Sequence, residues 1–79
     1  MSPTVFIDGP YRFFFFSREE RRMHIHVMSS HGEAKFWLEP EIVLAENDGL
    51  SKKEISQVSK VVEARKDEIK ANWEKHFKC

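Results

Sequence analysis

The sequence predicts an α+β fold in two layers: a small antiparallel sheet of about four strands followed by a C-terminal helical segment. Three observations carry this. HIHVMS (24–29) and EAKFWLE (33–39) alternate apolar and polar residues with the period of a half-buried strand. Turn signals, DGP, SHG and NDG, punctuate residues 1–49. Beyond them the period changes. Ile55, Val58, Val61, Val62, Ile69, Trp73 and Phe77 are spaced by threes, fours and sevens, which makes one apolar stripe along a helix.

The elements follow in order. PTVFI opens with Pro3, which is tolerated at a strand start, and reads as the first strand. DGP turns the chain into YRFFFFS, the second strand, and REERR is a charged loop. HIHVMS is the third strand, SHG the next turn with Gly32 placed for a positive φ, and EAKFWLE the fourth strand. Pro40 interrupts. EIVLAEN reads equally as a fifth short strand or a helical turn. Ser51 and Glu54 then form S-x-x-E, a capping box, with Leu50 and Ile55 as its hydrophobic staple. The stripe lacks an apolar residue near Arg65 and Lys66, so the segment is one long helix or two joined there.

Length and composition narrow the classes. The 79 residues read as a single domain, 1–49 mainly strands and turns and 50–79 mainly helix. A core this small is marginal alone and gains from a partner or a staple. Cys79 is the single cysteine, which excludes an intrachain disulfide and fits a reduced, cytoplasmic chain. No secretory leader is visible, and FFFF is far too short to span a bilayer, so no membrane partner is expected. Hydrophobic content of 41% with seven Phe indicates a globular rather than a disordered chain. Net charge is zero but uneven: five basic against eight acidic residues in 1–49, eight against five in 50–79. That asymmetry fits an anionic partner of the second half, or simply a solvated helix face.

Alternation assigns the faces of the sheet. Ile25 and Val27 share one face with Ala34, Phe36 and Leu38, which must meet the helical stripe. His24, His26 and Met28 share the other with Lys35 and Trp37. The second strand is apolar on both sides: Phe13 and Phe15 on one, Phe14 and Phe16 with Arg12 on the other. Which pair meets the helix is open at this point. A sheet covered on one side alternates apolar with polar, so the double-sided Phe run marks a second covered or binding face. Two readings stand: a covered face, either in a homodimer packed sheet to sheet or under a second layer made by the N-terminal strand and the C-terminal helix end, or an aromatic and basic platform of Arg12, Phe14, Phe16, Arg22 and Trp37 for RNA bases and phosphates or for a protein partner.

H-x-H admits three chemistries. Two imidazoles on one strand face ligate Zn²⁺ if His31, Glu33 or another carboxylate completes the set, although no CxxC accompanies them. Alternatively, His24 and His26 act as a general acid–base pair on RNA, with Lys35 or Arg22 stabilising the charged phosphorane, which describes a metal-independent ribonuclease without cofactor. The third chemistry is structural hydrogen bonding. His31 in its Gly turn and His76 near the helix end read as incidental. Phosphate-binding glycine loops and G-x-S-x-G are absent. Reading residues 41–62 as two helices around NDGL gives a DNA-binding helix-turn-helix, with Lys52 and Lys53 on the phosphate backbone.

The order SPTVF, YRFFFFS, HIHV, EAKFWLEP, NDGLS and WEKHF resembles a family of small bacterial proteins known as domain of unknown function 4160, along nearly the whole chain. Where that family places prolines before the H-x-H, this chain has Arg22 and Met23. The resemblance implies membership of a two-gene unit of the toxin–antitoxin kind, with a protein partner encoded nearby and RNA as a target of one of the pair. It carries over no catalytic residue.

Overall fold

The alternating stretches become a five-stranded meander in the computed structural model, which describes residues 4–15 and 21–77. The strands are β1 (Thr4–Asp8), β2 (Tyr11–Phe14), β3 (His24–Ser29), β4 (Gly32–Trp37) and β5 (Val43–Asp48). They pair antiparallel in the order β1-β2-β3-β4-β5. About four strands were expected; the fifth is the stretch after Pro40 whose apolar run fits either period. Its strand form removes the first helix that a helix-turn-helix around NDGL requires. Cys79 and Phe16 lie outside the described residues.

Two helices follow, α1 (Lys52–Ala64) and α2 (Lys66–His76). The capping box at α1 is complete: Glu54 N–H donates to Ser51 Oγ at 3.1 Å, and Ser51 N–H donates to Glu54 Oε1 at 2.9 Å. Leu50 is buried beneath this turn and Ile55 half-buried, as the staple requires. The helices part at Arg65, where φ −114° and ψ 20° leave the helical well. Arg65 is the position where the apolar stripe lapses. Its guanidinium instead lies 3.5 Å from the Phe6 ring centroid and forks onto both carboxylate oxygens of Glu68 at 2.8 and 2.9 Å.

The core lies between one sheet face and the helical stripe. Ile25, Val27, Phe36 and Leu38 meet Val58, Val62, Ile69 and Trp73, as alternation predicts. The open parity of the second strand resolves with Phe13 and Phe15 inward: Phe13 stacks on Phe6 at 4.6 Å and Phe15 meets Trp73 edge-on at 5.3 Å. Full burial of each ring contributes about 1.5–3 kcal/mol, a large share of what holds so small a domain.

Two turn residues act differently from the sequence reading. Gly32 does not use a positive φ; the positive-φ glycines are Gly9 and Gly49. Gly32 is required by close approach, because a Cβ there would collide with the Asp48 carbonyl oxygen and lie 2.8 Å from Gly49 Cα. His31 is not incidental. Its Nδ1–H donates to Glu54 Oε2 at 2.7 Å, fastening the β3–β4 turn to the start of α1. That hydrogen bond, followed by the one from the Ser51 backbone, holds the Glu54 carboxyl below its usual range.

Candidate functional site

Strand register builds the sheet face away from the helices. Arg12, Phe13 and Phe14 of β2 have direct partners across β3, β4 and β5, so side chains form rows. One row runs Thr4, Phe14, His26, Lys35, Glu46. The next runs Ile7, Arg12, Met28, Glu33, Asp48. A third, shorter row is His24, Trp37, Val43. The expected face therefore assembles: Arg12, Phe14, His26, Lys35 and Trp37 lie in adjacent rows of one surface.

Aromatic rings and cations interlock there. The Arg12 guanidinium lies 4.8 Å from the Phe14 centroid, and Phe14 stacks on His26 at 5.4 Å. Arg12 Nε–H donates to Thr4 Oγ1 at 2.7 Å, which fixes the guanidinium over the ring. At the other end of the face, Trp37 receives two cations: Arg22 Cζ at 4.2 Å and Lys35 Nζ at 4.4 Å from its centroid. Arg22 Nε–H also donates to the Glu39 carbonyl oxygen at 3.1 Å. Each guanidinium is thus held by both a ring and a hydrogen bond, so a ligand need not order it.

Accessibility divides these residues. Arg22 is exposed, while Arg12, His26 and Trp37 are half-buried. His24 is 0% exposed, Phe14 2% and Lys35 7%, so the Phe14 ring expected on the binding platform is buried. His24 opens β3, at the sheet end, where alternation does not confine a side chain to one face. Its ring meets His26 at 5.2 Å, Trp37 at 5.6 Å and, from the helical layer, Trp73 at 4.9 Å. Its Nδ1–H donates to the Arg22 carbonyl oxygen. His24 therefore bridges the two layers, whereas the sequence placed it on the far face alone. His26 remains the imidazole with access to solvent on this face. Among the described residues no group of three His, Cys, Asp or Glu is placed to hold a metal ion.

Alternation located this face and Met28 on it; it did not place Ile7 or Val43 at its rim. Ile7 joins it because a bulge between Thr4 and Phe6 shifts the parity of β1. A single extra residue of this kind leaves no mark on an apolar stretch as short as TVFI. Ile7, Met28 and Val43, all exposed, fringe the cations with aliphatic surface. His76, read as incidental, stacks on Phe15 at 5.9 Å beside the end of α2.

The fold and this face define a small α+β protein whose sheet face away from the helices carries arginines laid over aromatic rings. A model of the family described as Domain of unknown function (DUF4160) matches residues 11–74, and the chain belongs to that family. No curated protein and no solved structure matches it. Among the described residues no helix is long and apolar enough to cross a membrane.

Proposed function

We propose that this chain is the protein-binding component of a two-protein unit of the toxin–antitoxin kind, and that it engages its partner through the exposed sheet face. The observation that carries the reading is the division of accessibility: His24 and Lys35, two of the three residues an acid–base mechanism would use, are buried in packing. Besides His26, the groups that keep access on this face include Arg12, Arg22, Trp37 and Met28, residue types enriched in protein interfaces. The two-protein setting rests on the family resemblance.

A second reading has its own support. His26 keeps solvent access between Phe14 and Lys35, and Arg22 is exposed, a combination that suits phosphates and bases of single-stranded RNA. One experiment separates the two. The purified protein is mixed with the product of the adjacent gene and, separately, with a single-stranded RNA pool. The protein-binding reading expects a stoichiometric complex by light scattering and intact RNA. RNA cleavage that disappears in a folded His26→Ala variant, without complex formation, would overturn it in favour of an RNA-directed activity.

A further inference from the structure

The outermost strand β5 combines three features. It is the end of the sheet order, so among the described residues no strand pairs with its outer backbone edge. Its aliphatic side chains are left in solvent, Val43 at 44% and Leu44 at 39% exposed, one on each face. It is also acidic. Glu33 and Asp48 stand directly opposite each other and both are exposed, and Glu46 is exposed one row away. Like charges directly opposite on neighbouring strands destabilise a sheet. The other edge differs, since Arg65 lies over Phe6 of β1.

We propose that β5 is a strand-addition site for an extended basic segment of a protein partner. The surface specifies the partner's chemistry. On the sheet face that carries Asp48, Glu46 and Val43, the added strand places cations, whose charged ends meet the two carboxylates and whose aliphatic stems cover Val43. Its opposite side presents an aliphatic residue to Leu44. The Glu33–Asp48 pair then gains a cation in line with its row, and the backbone edge gains hydrogen bonds. Nucleic acid is the wrong occupant, because its phosphates meet carboxylates. A second copy is also disfavoured: antiparallel pairing of two β5 strands brings their carboxylates within a position or two of each other. This edge adjoins the arginine-bearing face, since Glu46, Asp48 and Val43 end its rows, and the proposal rests on the proposed function only in taking the partner to be a protein.

The test uses the full chain, isotopically labelled, and an eight-residue capped peptide of alternating valine and lysine. The expected result is saturable binding, with chemical-shift changes and slowed amide exchange concentrated at residues 43–48. A valine–glutamate peptide should not bind, and N-methylation of alternate residues in the lysine peptide, which keeps its charge, should abolish binding. The Glu46→Lys/Asp48→Lys variant, checked for folding by its melt, should bind at least tenfold more weakly. Absence of binding, equal binding of the N-methylated peptide, or shifts scattered over other acidic residues would overturn the proposal. Such a failure alongside a stable complex with the adjacent gene's product would leave the face-binding function standing.

Discussion

Replacing Gly32 with alanine tests how the sheet meets the start of α1. Gly32 begins β4 and abuts the Asp48–Gly49 backbone at the end of β5. A Cβ at Gly32 would collide with the Asp48 carbonyl oxygen, and it would lie 2.8 Å from Gly49 Cα and 3.0 Å from Asp48 C. Every one of these atoms is backbone, so no side chain can rotate away, and the β4–β5 ladder must shift. Overpacking of this kind costs about 1–3 kcal/mol. A domain of this size loses roughly 4–8 °C of Tm per kcal/mol, so Gly32→Ala should melt about 8–16 °C below the parent for a cost in the middle of that range. Gly9→Ala is the control. Gly9 has φ +60° with nothing within 4 Å of its Cβ position, so only the left-handed backbone is penalised, by about 1 kcal/mol. Thermal melts followed by circular dichroism decide. A Gly32→Ala melt within about 2 °C of the parent, or one less affected than Gly9→Ala, would refute the close-approach argument.

Two titrations probe the same corner of the molecule. Glu54 has its folded pKa lowered by the His31 and Ser51 hydrogen bonds, so its contribution is present above the unfolded carboxyl range and is lost as pH falls through the folded value. The urea midpoint of the parent should therefore drop more steeply between about pH 5 and pH 3 than that of Glu54→Gln; equal slopes would contradict the assignment. Tyr11, whose hydroxyl donates to Gln57 Oε1 at 3.1 Å, has its pKa raised by burial and then by the Glu54 charge. Its contribution is present below the unfolded tyrosine pKa and is lost as pH rises past it, and Tyr11→Phe should remove that dependence. Tyr11 is the single tyrosine, so its phenolate absorbance reads the site directly, and a midpoint below the ordinary tyrosine value would be the contrary result. In the core, Trp73→Ala removes the ring that meets both Phe15 and His24. The expected loss is about 3–5 kcal/mol in a denaturant titration; a loss under 1 kcal/mol would show that the two layers do not meet there.

Much of the fold was legible because strand and helix periods differ. The inward sets of β3 and β4 and the whole helical stripe follow from spacing alone, and the capping box sets the start of α1 to the residue. The fifth strand was not legible, because a short apolar run fits either period and only the pairing with β4 decides. The parity of the four Phe was likewise open, since both faces of that strand are apolar. For the site, alternation placed Arg12, Phe14, His26, Lys35 and Trp37 together. It could not show depth. His24 and His26 look equivalent in sequence, yet one is wedged against Trp73 and the other reaches solvent. The ties from His31 to Glu54 and from Arg65 to Phe6 join residues distant in sequence and of common types, and they carry no local signal.

The binding face is tested most directly by the affinity of the chain for the product of the adjacent gene, measured by calorimetry for the parent and for a folded Arg22→Ala/Trp37→Ala variant. Removing a guanidinium and the ring it lies on should weaken the complex at least tenfold, about 1.4 kcal/mol or more. Unchanged affinity in the variant would contradict the assignment of that face as the partner-binding surface.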